Sequence, residues 1–459
     1  MAHGAAYYLY YTCNMKYIAI FELTALFIFS SLSQAAAGLS SGSLSALNDL
    51  PGADLAMPAV PLPAAPEKAV KEWTIMVFMN GKNDLYNFAL NDLNEMEQAG
   101  VPADVNLVVE AGRLYIPPAP PPGPGNPWGF PPNFPGFPGM SPGRAPAGDA
   151  SWSGIRRYLI QKDSDPAQVT SPVLEEFKGD MGDWNHLVEF GLWAKAKFPA
   201  RHYMLIVWNH GNGWKSAKAF PAAKGISYDD ETGHHITGVQ LGQALAKMGG
   251  ADIYASDACL MQMAEVAYEL KNSAPLIIGS EETEPADGWP YHYFLEGLRN
   301  TALTSENIAA SAVLGFTRYY TEKSKKVTIS ALYTRNLSTL KTLTDQWAAL
   351  AMTTDRAALR AARLATKPFA DIESHDFIHF LNLAAEKTPS PELKAKSLEL
   401  SAFISSKVLI RNSTTGDAYK NAYGLGIYMP YSIPDTAYNE LAWAKSGKWF
   451  EFINWIQKQ

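Results

Sequence analysis

Apolar residues in this chain fall into short unbroken runs, separated by stretches in which they recur every three to four positions. Trp73–Met79 (WTIMVFM), Val105–Val109, Tyr203–Trp208 (YMLIVW), Asp252–Ser256 (DIYAS) and Leu276–Gly279 have strand length and strand-forming residues. Their lack of polar alternation predicts strands covered on both faces. Between them, Leu85–Met96 places Leu85, Phe88, Leu90, Leu93 and Met96 at helical spacing, and Trp184–Ala196, Thr237–Met248 and Met261–Leu270 also predict helices. Arg156–Gln161 predicts one more strand. Strands alternating with amphipathic helices predict an α/β fold with an open, mostly parallel central sheet between two helical layers. From about residue 302 the pattern is more helical, with strands near Val327–Tyr333 and Gly424–Met429, and there is no internal repeat.

Three segments stand outside that pattern. Lys16 precedes an apolar stretch from Tyr17 to Ser30, and Ala35-Ala36-Ala37 follows it, which predicts a secretory signal over residues 1–37 and export to the periplasm or the medium. Asn14, Lys16 and Glu22 interrupt the stretch and disfavour the alternative of an uncleaved anchor, so no stable membrane association is expected after the signal is removed. Residues 38–71, rich in Ala, Ser, Gly and Pro, predict a tether or pro-segment. Residues 117–146 hold 13 of the 31 prolines and six glycines, so they are expected to form a surface insertion in extended or irregular backbone. Its Trp128, Phe130, Phe134 and Phe137 either dock on a surface or stay in a solvated loop. The expected division is then a catalytic-size unit at 72–300 and a helical C-terminal part at 301–459 packed on it.

With 47% hydrophobic residues in 459, the chain has ample material for a large core. Lys and Arg number 38 against 45 for Asp and Glu, a net −7 that argues against a broad nucleic-acid-binding surface. Two cysteines exclude a disulfide scaffold and any four-cysteine metal site. Cys13 lies in the expected leader, so the exported chain carries one thiol, Cys259, and an odd cysteine in an exported protein is an intermolecular link or a reactive group.

The candidate chemistry sits where two buried strands end. YMLIVW runs into Asn209-His210-Gly211, and DIYAS runs into Asp257-Ala258-Cys259. Sites in open α/β sheets form beyond the carboxyl ends of neighbouring strands, which brings both side chains to one crevice. A thiolate is a strong nucleophile at neutral pH and an imidazole transfers its proton. The backbone N–H groups of Gly211 and Cys259 are placed to receive an oxyanion. Other motifs carry less. Gly38-Leu39-Ser40-Ser41-Gly42 fits G-x-S-x-G but lies in the tether, and there is neither H-E-x-x-H nor a phosphate-binding glycine loop. His234-His235 after Asp229-Asp230-Glu231 reads as an exposed polar hairpin, and His375 and His379, four apart, as structural residues sharing a helix face.

The blocks YMLIVWNHGNGW, DIYASDACLMQMAEVAYEL and GSEETEPADGWPY resemble the clostripain family of cysteine peptidases, of the caspase-like clan. The histidine stands 49 residues before the cysteine, near the spacing of roughly 50 found in caspases. The resemblance implies a caspase-like three-layer sandwich and a His210–Cys259 dyad, with the histidine acting mainly on the leaving amine. It implies cleavage of protein or peptide substrates after Arg or Lys, for which Asp257 and Asp287 would supply the pocket carboxylates. It further implies self-cleavage between the dyad residues, at Lys224 or Lys218. No cofactor is required; calcium, used by some members, finds no regular ligand spacing here. The competing readings are a non-catalytic peptide- or surface-binding homologue and a peptidase of the same fold cutting after Asp or Asn.

Overall fold

Strands that are apolar throughout need cover on both faces, and the computed structural model supplies it. It describes residues 70–114, 152–216, 224–299, 301–445 and 447–458. The expected signal segment, nearly all of the tether, the proline-rich insertion and Lys218 lie outside them. The first half contains β1 (Lys71–Gly81), α1 (Tyr86–Ala99), β2 (Val105–Arg113), β3 (Gly154–Leu159), β4 (Val173–Phe177), α2 (Trp184–Lys197) and β5 (Ala200–Trp208). A hairpin sheet of β6 (Gly211–Ser216), β7 (Lys224–Asp229) and β8 (His234–Ile236) leads to α3 (Gly238–Lys247), β9 (Ile253–Asp257), α4 (Ala264–Leu270), β10 (Leu276–Gly279) and α5 (Tyr291–Gly297). There follow α6 (Ser305–Glu322), β11 (Thr328–Tyr333), α7 (Leu337–Ala351), α8 (Arg356–Ala365), β12 (Ser374–Asp376), α9 (Phe377–Lys387) and α10 (Pro391–Phe403). The chain closes with β13 (Leu409–Thr414), β14 (Gly426–Tyr428) and α11 (Trp449–Gln457).

Nine strands form the main sheet in the order β13-β11-β10-β9-β5-β1-β2-β3-β4. The middle five are parallel, as the apolar runs predict, and both flanks are antiparallel. β11 and β13 come from beyond residue 300, so the sheet continues without a break into the C-terminal part, and the described residues form one compact unit.

Alternation within β1 feeds two cores. Met76 and Phe78 point to one side with Leu187 and Phe190 of α2, Leu241 and Leu245 of α3, and the packing residues of α4, α7, α9, α10 and α11. Trp73, Ile75, Val77 and Met79 point to the other, with Leu90, Leu93 and Met96 of α1 and residues of α5 and α6. All six of these β1 side chains are fully buried, each removing apolar area worth roughly 1.5–3 kcal/mol from water. Local chemistry sets the helix starts: Thr237 and Gln240 form a reciprocal capping box at α3.

Three expectations change in detail. The helix expected from Met261 begins at Ala264, because the residues before it are held extended by Gln262 N–H on Ser280 O (3.0 Å) and Gly426 N–H on Gln262 O (2.9 Å). β4 and β13, absent from the apolar pattern, are edge strands. His375 and His379 do not share a helix: His375 lies in β12 with Nε2 2.8 Å from Tyr431 OH, and His379, in α9, accepts from the Lys367 N–H at 2.9 Å. Among the described residues, no helix is long and apolar enough to cross a membrane.

Candidate active site

Trp208, the last residue of β5, stands opposite Asp257, the last residue of β9. The two strand ends therefore advance together, and His210 and Cys259 each lie two residues beyond the matched pair. Asn209 fixes the exit of β5: its N–H donates to Asp257 O (3.1 Å), its Nδ2 to Asn80 O (2.5 Å), and its Oδ1 accepts from Tyr228 N–H (2.7 Å). Gly211 then passes so close to the other segment that a Cβ there would lie 2.5 Å from the Cys259 carbonyl oxygen. Only glycine fits. On the other side Leu260 takes a left-handed backbone, φ 62°, with its N–H on Glu282 O at 3.1 Å. A non-glycine residue held there stores strain beside the reactive group, and the surrounding bonds keep it in place.

Cys259 is half-buried against Phe369, Ala422 and Tyr419. Its Sγ accepts from the Glu284 N–H (3.2 Å) and donates weakly to Glu284 O (3.9 Å). Burial, then the charge of Glu284, pushes the thiol up to about 12, so it is protonated at neutral pH in this state. Among the described residues, the Cys259 N–H donates to no protein group, which leaves it open to an oxyanion.

His210 is half-exposed, and its Nε2 donates to Asp84 Oδ1 at 2.7 Å. That bond holds the Asp84 carboxyl below its ordinary range. Among the described residues His210 and Cys259 share no hydrogen bond. Asp84 lies in the turn between β1 and α1, and sequence reasoning did not find it; its signal is weak, an aspartate just past the end of the first buried strand.

Asp257 is buried, with Oδ1 accepting from Trp289 N–H (3.1 Å) and Oδ2 from Tyr291 OH (2.9 Å). The loop at Gly288, in left-handed backbone, covers it so closely that a Cβ would lie 2.9 Å from Oδ1. Burial raises its carboxyl to about 7. Asp92 of α1 lies in the same neighbourhood, its Oδ2 accepting from Trp208 Nε1 (2.7 Å). Asp287 is exposed on the covering loop, and its charge acts on Asp92, Tyr319 and Tyr320. The two sequence-predicted pocket acids thus share one neighbourhood, Asp257 inside it and Asp287 at its edge.

The remaining marked residues are accounted for locally. His234 and His235 sit in the β7–β8 hairpin, with His234 Nδ1 on Asp180. Asp229 and Glu231 both pair with buried Lys82, at 3.1 and 2.7 Å. Among the described residues, no group of three or more His, Cys, Asp or Glu side chains is arranged to hold a metal ion. Lys224 is the first residue of β7, opposite Ser216.

The sequence profile described as the clostripain family matches residues 77–446. A clostripain from Hathewaya histolytica is 24% identical over 247 residues, 49% of this chain and 42% of that protein, so the match spans less than half of that relative's length. A secreted C11 cysteine protease from Bacteroides thetaiotaomicron, solved with an irreversible peptide inhibitor, overlays with a TM-score of 0.58 at 21% identity, covering 84% of this chain and 99% of that one. An inactive zymogen C11 protease from Parabacteroides distasonis gives 0.57 at 19%, covering 83% and 99%. At these identities the two solved structures speak for the fold.

Proposed function

The chain belongs to the clostripain family, and from that premise we propose that it is an exported cysteine endopeptidase cutting after arginine or lysine through Cys259 and His210. One observation carries the reading: the in-register ends of β5 and β9 deliver a histidine and the thiol to one place, beside buried carboxyls. Cys259 Sγ attacks the scissile carbonyl carbon while its proton passes to the imidazole. The N–H groups of Gly211 and Cys259 donate to the oxyanion. The C–N bond breaks as the imidazolium gives its proton to the leaving amine, leaving a thioester. Water, deprotonated by the imidazole, then releases the acid and restores the thiol.

Self-cleavage after Lys224 is part of the proposal, supported by the position of that residue at the head of a strand next to the 217–223 segment. Export rests on the leader pattern in the sequence.

The test is the purified protein against fluorogenic peptides that differ only at the cleaved residue. Turnover of the Arg peptide, a slower rate with Lys, and loss of both after thiol alkylation is the expected result. Turnover of Asp or Asn peptides alone would overturn the specificity, and no thiol-dependent turnover would overturn the activity.

Asp84 acts through His210, holding one imidazole nitrogen and leaving the other for the reaction. Asp84→Asn is expected to lower kcat by about 10-fold to 100-fold, less than for a buried partner because the pair is half-exposed. KM is expected to stay unchanged. A fall in KM-dependent binding with kcat intact would assign Asp84 to substrate contact instead.

A further inference from the structure

Three glutamates stand close together after β10, and they differ in what they touch. Glu281 accepts from Gly424 N–H (2.8 Å), and Glu282 Oε1 from Thr283 N–H (2.9 Å) and Ala370 N–H (2.8 Å). The carboxyl of Glu284 is shut away from solvent, and among the described residues no N–H or hydroxyl reaches either oxygen. Its side-chain partner is the carboxyl of Asp257. Two carboxyls hydrogen-bond only when one of them keeps a proton. Among the described residues, no Lys, Arg or His pairs with Asp92, Asp257, Glu284 or Asp287.

A buried carboxyl without donors is costly unless a partner arrives. We propose that Glu284 is the carboxylate that receives the basic side chain at the cleaved position, and that the proton it shares with Asp257 leaves when that cation binds. This rests on the Arg/Lys reading above and assigns its recognition to a residue outside the two expected pocket acids. Asp257 already takes donors on both oxygens, and Asp92 takes one from Trp208, whereas Glu284 has both of its own free of donors. Its backbone N–H lies 3.2 Å from Cys259 Sγ, so the side chain starts within one residue of the reacting thiol.

The titratable groups that act on the pair are Asp92 and Glu95 from α1, Tyr291 from α5, Tyr320 from α6, and Cys259, with Glu95 in turn 3.0 Å from His292 Nδ1. Burial, with the charge of Asp257, pushes Glu284 well above the usual carboxylate range. The free protein therefore keeps the shared proton at neutral pH, and the cation exchanges for it. Affinity for a basic peptide therefore rises with pH while the free protein still holds that proton, and levels once the proton is lost.

Calorimetry tests this with the full-length Cys259→Ala protein and an arginine peptide, titrated at pH 6.5 in two buffers of different ionisation enthalpy. A net release of protons on peptide binding is expected. In the active protein, Glu284→Gln is expected to raise KM for the arginine peptide about 30-fold or more, with a far smaller change in kcat. Arginine binding without proton release, or a glutamine variant that releases the proton like the parent, would overturn the proposal and leave the Arg/Lys reading standing. Failure of Cys259→Ala to bind the arginine peptide while it binds an Asp or Asn peptide would overturn both. The proton count needs no Glu284 variant, so it holds even if the glutamine protein does not fold.

Discussion

Cys259→Ala is expected to remove peptidase turnover, lowering kcat/KM on the arginine peptide on the order of 10⁴-fold or more. Alanine deletes the atom that forms the thioester, and among the described residues there is no second thiol to replace it. The fold should survive. The sulfur makes one N–H contact and one weak bond, both to the backbone of Glu284, and alanine fits between Ala258 and Leu260. The same variant, analysed by intact mass, is expected to stay a single chain across Lys224–Gly225, where the parent is expected to separate into two. Undiminished turnover in the alanine protein would place the nucleophile elsewhere. A cut at Lys224 in the alanine protein would make that cleavage the work of another enzyme.

The second large effect belongs to Asp257→Asn. Removing one charge from the buried acid site proposed to receive a cation is expected to lower kcat/KM for the arginine peptide about 30-fold to 1000-fold, mostly through KM. Stability should move the other way. Burial raises the Asp257 carboxyl to about 7, above the value near 3.9 in an unfolded chain, so the folded state holds more protons between those values. This group therefore makes the fold less stable as pH rises from about 4 to about 7. Asparagine carries no such linkage, and it keeps an acceptor for the Trp289 N–H or the Tyr291 hydroxyl. The variant is expected to unfold at a temperature equal to or above the parent's at pH 8, and at or below it at pH 4. Lost arginine activity together with a lower unfolding temperature at pH 8 would make Asp257 a structural residue rather than a pocket acid.

The central strands were readable because β1, β5, β9 and β10 are buried on both faces and spell it out as unbroken apolar runs. Edges do not announce themselves this way. β4 reads VLEEF, and its Glu175 pairs with Arg157 across the sheet, so its polarity is satisfied by a partner the local pattern does not contain. β13 reads LIRNST and is half-exposed along its length. The start of α4 was misplaced for a different reason: Met261 to Met263 have helical composition, but contacts from Ser280 and Gly426, distant in sequence, hold them extended.

The site divides along the same line. His210 and Cys259 were legible because each follows a strand whose type and end are plain in the sequence. Asp84 was not, since its relation to His210 spans 126 residues and exists only after β1 and β5 pair. Glu284 was visible as one of three neighbouring glutamates, but what separates it from Glu281 and Glu282 is the donors each receives, a property of tertiary packing.

The continuation of the sheet past residue 300 has a practical side. β10 is Leu-Ile-Ile-Gly, fully buried, with β11 closing its outer edge by antiparallel pairing from Leu276 to Gly279. A chain ended at residue 300 would present that edge bare: apolar, without a charged side chain or proline to discourage a neighbour from adding a strand. It would also strip Gly424 from Glu281 and Ala370 from Glu282, the donors that seat the loop next to the thiol. Such a fragment is headed for intermolecular strand pairing and precipitation rather than a minimal enzyme.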